Sequence, residues 1–176
     1  VICVEGYLDV IRLHEHGFRN AVAPCGTAMT EHHLNMIKRY SESIVLLFDG
    51  DDAGREAARR HVKICLHHAL EASIVLLPYG DDPDSFLLEN GGTALSHLLD
   101  KKIPVLDFLL NQMMSQHSDT LAGRVKALEE ILPILSEIVD PTLKQITINS
   151  LSEKMRIPFK ELWKKSKKFL IKSNDY

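Results

Sequence analysis

The most informative part of the sequence is Ile-Val-Leu-Leu-Phe-Asp-Gly-Asp at 44–51. Its five apolar residues are continuous and rich in branched side chains, which is typical of a parallel strand buried on both faces. A second apolar run, at 1–4, ends in a similar way on Glu5-Gly6. Side chains at the carboxyl ends of neighbouring parallel strands meet in one crevice. The sequence therefore predicts that Glu5, Asp49 and Asp51 converge.

Strand-like and helix-like segments alternate through the first eighty or so residues. Short apolar runs separated by amphipathic segments predict an α/β fold, with a mostly parallel sheet flanked by helices. Thr30 is a good N-cap residue and marks the start of one helix. The predicted strands are 1–5, 21–23, 44–48 and 73–77, and the predicted helices are 7–16, 30–40 and a segment from Asp51 or Asp52 to about residue 70.

The character of the chain changes after Lys102, where strand signals fade. Amphipathic segments predict helices at 104–117, 121–139 and 141–156. We therefore expect two domains, an α/β domain at 1–102 and a small all-α helical bundle at 103–176. The middle helix should bury an apolar stripe made of Val125, Leu128, Leu132, Leu135 and Val139.

The final segment is strongly basic. Residues 152–168 resemble a helix-turn-helix, with Ile157-Pro158 as the break and a lysine-rich second helix. Those lysines could meet phosphates, but the pattern favours a solvated basic face at the end of a domain.

Composition limits the class of protein. Apolar residues make up 45% of the 176 residues, enough for a packed core, and the net charge is −3. No apolar run approaches the roughly 20 residues that span a bilayer, so no membrane partner is expected. Three cysteines in apolar contexts fit a reducing cytosol better than a disulfide framework. The absence of an initiator Met and of a basic leader indicates an excised piece of a longer cytoplasmic protein.

The acidic residues have the chemistry of a divalent-cation site. Asp49 and Asp51 share a face across Gly50 because positions i and i+2 of a strand point the same way. Mg²⁺ is commonly held by such carboxylates together with substrate phosphates. Asp82 and Asp84, on either side of Pro83, could complete a two-metal site, and Glu5 could be a ligand or a general base. The alternative for each acid is a helix N-cap or an acidic turn.

Two further groups have weaker signals. His61, Cys65 and His68 share a helical face, but a closed zinc site needs four ligands, so no zinc is expected. Arg55, one turn after Asp52, could contact a nucleotide phosphate or form an ordinary ion pair.

The residues together resemble the Toprim signature of bacterial DnaG-type DNA primases. Val4-Glu5-Gly6-Tyr7-Leu8-Asp9-Val10 and Phe48-Asp49-Gly50-Asp51-Asp52-Ala53-Gly54-Arg55 carry the resemblance. Gly26-Thr27-Ala28 lies between them, and the loop from Leu77 to Asp84 follows in the same order and spacing. The helical remainder is similar in layout to the subdomain that ends the primase polymerase core.

The resemblance implies a Toprim fold and a nucleotidyltransferase that makes short RNA primers for DNA replication. It implies two or more Mg²⁺ or Mn²⁺ ions, which would activate the primer 3′-hydroxyl and bind the incoming triphosphate. Gly26, Thr27 and Arg55 would contact the nucleotide, and Asp9 would support the site. The catalytic residues would be Glu5, Asp49 and Asp51, and the metal ligands Glu5, Asp49, Asp51, Asp82 and Asp84.

The resemblance also implies partners. They are a single-stranded DNA template, ribonucleoside triphosphates, the RNA primer and the replicative helicase, at a bacterial replication fork in the cytoplasm. The family's zinc-binding and basic N-terminal regions would precede Val1 and its helicase-binding domain would follow Tyr176. The piece alone should therefore prime weakly or not at all.

Two other classes place acids at strand ends. A Toprim nuclease or topoisomerase-like enzyme would use the same acids to cut a phosphodiester, but the loop around Asp82-Pro83-Asp84 favours primase. A receiver-like phosphate-binding domain would need a lysine late in the sheet, and none follows the fourth strand until Lys101.

Overall fold

The computed structural model of the protein describes residues 1–67, 70–117, 120–138 and 140–173. It divides into two compact units, Val1–Val105 and a second that begins at Leu106. The domain boundary predicted between residues 102 and 103 stays a prediction. Among the described residues, no helix is both long and apolar enough to cross a bilayer.

The first unit is built on a five-stranded sheet in the order β2-β1-β3-β4-β5. The first four strands are parallel, and β5 runs antiparallel to β4. The mostly parallel sheet predicted from the sequence is confirmed. The strands are β1 (Ile2–Cys3), β2 (Ala21–Val22), β3 (Ser43–Phe48), β4 (Glu71–Leu76) and β5 (Ile103–Pro104).

Four helices connect these strands. Thr30 caps α2 as predicted, and its hydroxyl accepts a hydrogen bond from the His33 amide. The fourth helix begins on Pro83, a favoured first-turn residue, and its backbone breaks at Gly91, where φ is 74°. The helices are α1 (Tyr7–Glu15), α2 (Glu31–Ile37), α3 (Asp52–His67) and α4 (Pro83–Asp100).

The core beside the sheet explains why the strand ends are held in fixed positions. Leu47 of β3 and Val75 of the neighbouring strand β4 pack with Leu13 of α1 and with Phe86 and Leu95 of α4. All five side chains are buried. Because α1 and α4 are anchored here, the residues at their N-termini have a rigid support.

The prediction missed one strand. Ile103 and Pro104 pair with Ile74 and Ser73 of β4, although the sequence analysis placed them in the helical domain. A two-residue strand gives no periodic signal, and proline is normally confined to edge strands such as this one.

The second unit is helical. Its described helices are α5 (Val105–Gln116, whose first residue belongs to the first unit), α6 (Leu121–Glu137), α7 (Pro141–Met155) and α8 (Phe159–Ser173). Leu128, Leu132 and Leu135 of α6 are buried as predicted. The prediction for Val125 is wrong, because its side chain is 41% exposed, and Val139 lies outside the described residues.

Candidate metal and nucleotide site

Strand register brings the two predicted acidic ends to one edge of the sheet. Cys3 of β1 pairs with Leu46 of β3. Glu5 lies two residues after Cys3, and Asp49 lies three residues after Leu46, so both acids follow the paired ends of the two strands. The next strand is tied in by the amide of Leu77, which donates to the carbonyl of Phe48 at 3.2 Å. The carboxyl ends of β1, β3 and β4 therefore lie side by side.

The acidic loop after β4 folds onto the same edge. The amide of Gly50 donates to the carbonyl of Asp81 at 3.0 Å. A Cβ atom on Gly50 would lie 1.8 Å from the carbonyl oxygen of Pro78, so any side chain there would collide with this loop. Gly50 is therefore required for close approach of the two acidic segments.

A second glycine fixes the turn from β3 into α3. A Cβ atom on Gly54 would lie 2.3 Å from the carbonyl oxygen of Asp49. The amide of Gly54 also donates to Asp51 Oδ1 at 2.8 Å. The helix therefore packs directly against the backbone of Asp49, and Asp51 is its N-cap.

Two other acids are also held by local hydrogen bonds at helix starts. Asp82 Oδ1 caps α4, accepting from the Ser85 amide at 2.7 Å and from the Ser85 hydroxyl at 2.6 Å. Asp9 Oδ2 accepts from the Gly6 amide at 3.1 Å. The capping alternative considered for these acids is thus realised, and these hydrogen bonds use one oxygen of each carboxylate.

The sequence analysis missed Arg12. Its Nε donates to Asp84 Oδ1 at 2.5 Å, and its Nη1 lies 2.8 Å from Glu15 Oε2. The partners are 72 residues apart in the chain, so only the packing of α1 against α4 brings them together. Arg12 fixes the orientation of Asp84 at the rim of the site.

Electrostatics show that the acids lie close enough to influence one another. The pKa of Asp49 is raised to about 6, chiefly by burial and also by the charges of Glu5, Asp9, Asp82 and Asp51. Burial also raises the pKa of Asp9, helped by three neighbouring acids and opposed by its hydrogen bond from Gly6. The pKa of Asp82 is lowered by its hydrogen bonds from Ser85. The cluster therefore carries repulsion that a cation would relieve.

The carboxylates are gathered but do not already form a coordination shell. Among the described residues, no three His, Cys, Asp or Glu side chains surround a point where they could hold a metal ion. Their local hydrogen bonds turn Asp51, Asp82 and Asp84 towards protein donors instead. The donor set itself fits a hard cation, because it consists of carboxylate oxygens.

A cavity of about 330 Å³ opens beside Glu5. Gly26 and Thr27, the predicted nucleotide contacts, line it together with Glu5. The chain bends there through positive φ at Cys25 (49°) and Gly26 (81°). Arg55 is exposed on α3 and is not among the lining residues, whereas Arg60 and His61 from the same helix are.

His61 is part of the cavity wall. Its ring stacks on Phe48 with centroids 5.2 Å apart, and its Nδ1 lies 2.7 Å from the carbonyl oxygen of Ala57. Burial lowers the pKa of His61. Cys65 is buried on the same helix, and His68 lies outside the described residues.

Comparison with known proteins agrees with this geometry. A family model described as Toprim-like matches residues 2–87. A DNA primase of Clostridium acetobutylicum is 34% identical over 161 residues, which cover 89% of this chain and 26% of the relative. A DNA primase of Borreliella burgdorferi is 30% identical over 99% of this chain and 34% of the relative.

Solved structures agree as well. A DNA primase domain from Pseudomonas aeruginosa has a TM-score of 0.87 at 32% identity, covering 94% of this chain and 53% of that one. The chain belongs to the family of bacterial DnaG-type DNA primases. Its sheet and helices are accordingly those of the Toprim fold and the DnaG catalytic core.

A further DnaG-type structure, described as the primase catalytic domain bound to ssDNA, has a TM-score of 0.77 at 30% identity. It covers 87% of this chain and 51% of that chain. The chain thus spans about half of these solved catalytic domains and between a quarter and a third of the two curated relatives.

A second family model bears on the helicase partner. It is described as the DnaB-helicase binding domain of primase and matches residues 106–159, within the helical unit. The helicase-binding domain expected beyond Tyr176 stays a prediction.

Proposed function

We propose that this chain provides the metal-dependent catalytic part of a DNA primase, a DNA-directed RNA polymerase that makes short primers for replication. The observation that carries the proposal is the gathering of acids from β1, β3 and the loop before α4 at one edge of the sheet. The hydrogen bond from Gly50 to Asp81 is the contact that closes this edge. Primase relatives that align with most of the chain support the assignment.

The cation proposed for this site is Mg²⁺ or Mn²⁺, in two or more positions. When bound, such ions stabilise the attacking and leaving oxygens of nucleotidyl transfer. The residues that would hold them are Glu5, Asp49, Asp51, Asp82 and Asp84, with Glu5, Asp49 and Asp51 nearest the chemistry.

Neighbouring residues have positioning roles in this proposal. Asp9 accepts a hydrogen bond from the Gly6 amide and so fixes the backbone next to Glu5. Arg12 orients Asp84, and Ser85 orients Asp82. Gly54 lets α3 approach Asp49 closely.

The nucleotide would enter beside Glu5. The cavity lined by Gly26 and Thr27 adjoins the acidic edge through Glu5. Backbone and hydroxyl groups of the 24–29 loop would then contact the ribonucleoside triphosphate. Arg55, which is exposed and one turn into α3, would contact phosphate from outside the cavity.

The partners proposed are a single-stranded DNA template, ribonucleoside triphosphates, the RNA primer and the replicative helicase. The helicase would be met through residues 106–159, which match the helicase-binding family model. Such a protein would work in the cytoplasm at the replication fork. Nuclease chemistry with the same acids is not favoured, because the relatives are primases.

The test is primer synthesis by the full-length protein on a single-stranded template with ribonucleotides and Mg²⁺ or Mn²⁺. Asp49→Asn and Asp51→Asn should each lower the rate by at least about a hundredfold, as is usual when a transition-state charge partner is removed. The matched control is Glu56→Gln, which neutralises an exposed acid in α3, the helix that follows Asp51. This variant should retain activity. Shortening of the template without new oligoribonucleotides would overturn the proposal in favour of a nuclease.

A further inference from the structure

The last helix of the second unit has a face that mixes aromatic and basic side chains. Successive residues of a helix are about 100° apart. Leu162 and Ser166 mark the side of α8 that is buried in the unit. Turning away from that side, Phe159 and Trp163 come first, and Lys167, Lys160 and Lys164 follow in one arc. We call these five residues the α8 face.

The aromatic part of the α8 face is ordered. The rings of Phe159 and Trp163 stack with centroids 5.5 Å apart and an interplanar angle of 23°. Lys167 Nζ lies 5.3 Å from the centroid of the Trp163 ring. Trp163 is only half-buried, so part of the indole remains available at the surface beside the lysines.

The turn before α8 fixes the direction of this helix. Arg156 adopts a left-handed conformation (φ 54°, ψ 40°) and ends α7. The Ser152 hydroxyl then donates to the carbonyl of Ile157 at 2.6 Å. The helix-turn-helix arrangement predicted from the sequence is therefore present as α7, a three-residue turn and α8.

Positive charge within the second unit is concentrated on α8 and the turn before it. Residues 156–172 contain seven Lys or Arg and one Glu, whereas residues 106–155 contain four Lys or Arg and seven Asp or Glu. The helicase-binding family model ends at residue 159, where α8 begins. Trp163 and the three lysines of the α8 face thus lie beyond the matched helicase-binding region, and only Phe159 lies within it. This favours a nucleic acid over that protein as the partner of the face.

We propose that the α8 face binds single-stranded nucleic acid, with the lysines on phosphates. Lys167 would leave the Trp163 ring for a phosphate, and a base would stack on the ring in its place. Lys160 and Lys167 are seven residues apart, about 10 Å along the helix axis. That distance matches about three phosphates at 3.4 Å per nucleotide of a stacked strand. Aromatic side chains set among cations are the usual way of holding single strands without sequence preference.

This surface extends the proposed function but does not depend on the acidic site. Because Trp163 is the single tryptophan of the sequence, its emission reports on the α8 face alone. A titration with a 16-nucleotide oligo(dT) in EDTA, without nucleotides, should quench this emission in a saturable manner. Affinity should fall with salt by a slope of about −2 from three phosphate contacts, or about 20-fold between 50 and 200 mM.

The variant Lys160→Gln/Lys164→Gln/Lys167→Gln should lose about tenfold or more in affinity at 50 mM salt and flatten the salt dependence. The matched control, Lys101→Gln/Lys102→Gln/Lys126→Gln, removes three other exposed lysines and should bind like the original protein. Circular dichroism melting checks that both variants are folded. Asp49→Asn should retain the quenching even if it abolishes primer synthesis, so the two proposals can fail separately.

Three results would overturn the inference. The first is no binding, or binding that leaves Trp163 emission unchanged. The second is an equal loss of affinity in both triple variants, which would mean general charge attraction. The third is quenching by polyglutamate but not by oligo(dT), which would identify the α8 face as a docking surface for an acidic protein.

Discussion

The charge of Asp49 serves the proposed chemistry but lowers the stability of the metal-free fold. It is half-buried at the end of β3, and the neighbouring acids act against its charge. A carboxylate in this environment destabilises the metal-free protein, which is a common property of catalytic positions.

Replacing this charge should therefore stabilise the metal-free protein. In EDTA at pH 7.5, Asp49→Asn should raise Tm by about 2–4 °C, the shift expected for roughly 1 kcal/mol in a chain of this size. The measurement is thermal unfolding followed by circular dichroism. Asp100→Asn, at the far end of α4, is the control and should leave Tm unchanged.

The sign of the pH dependence follows from the raised pKa. Because the folded pKa of about 6 lies above the ordinary value of about 3.9, the folded state binds more protons between these values. The stability contributed by protonated Asp49 is thus lost as pH rises from about 4 to 6. The gain from Asp49→Asn should therefore shrink as pH falls from about 6 to 4 and be absent below pH 4. A constant gain at all pH values would contradict this explanation.

Gly54 tests the backbone contact between α3 and Asp49. Alanine normally stabilises a helix relative to glycine, but here its Cβ would lie 2.3 Å from the Asp49 carbonyl oxygen. Gly54→Ala should therefore destabilise the protein by about 1–3 kcal/mol, as overpacking usually does. Urea unfolding measures this, with Glu56→Ala as a control on the same helix. A stabilised Gly54→Ala would show that the contact is absent.

At the scale of the element, Asp51 has two separable properties. It is the N-cap of α3 through Oδ1, and it is a proposed metal ligand through its charge. Asparagine keeps the cap but not the charge, whereas alanine loses both.

The two substitutions should accordingly differ in stability but not in metal binding. Asp51→Ala should cost about 0.5–2 kcal/mol in EDTA, and Asp51→Asn should cost much less. Both should weaken Mn²⁺ binding by at least about tenfold, a loss seen even for outer-shell partners, measured by titration calorimetry. If Asp51→Asn binds Mn²⁺ normally, Asp51 is a cap and not a ligand.

Several elements could be predicted from the sequence because their causes are local. The apolar run of β3 and the Thr30 cap each depend on neighbouring residues. The pairing of β5 and the ion pair of Arg12 with Asp84 depend on tertiary packing across many residues. Such contacts leave no periodic signal in the chain. The exposure of Val125 also depends on tertiary packing. The apolar stripe of α6 does not reveal which part of that helix the neighbouring helices cover.

At the scale of the whole molecule, the acidic residues and the contacts that orient them lie within Val1–Val105. A domain of about 100 residues with its own core can fold alone. A polypeptide of residues 1–105 should therefore unfold cooperatively and bind Mn²⁺ within about twofold of the whole chain. A polypeptide of residues 1–102, which lacks β5, should have a lower Tm. Equal Tm values would support the boundary predicted from the sequence.

Anomalous diffraction from crystals grown with Mn²⁺ would locate the cation in the whole protein. The proposed site requires Mn²⁺ within about 2.0–2.6 Å of carboxylate oxygens, drawn from Glu5, Asp49, Asp51, Asp82 and Asp84. A fully occupied Mn²⁺ elsewhere, with none bound to these five carboxylates, would contradict it.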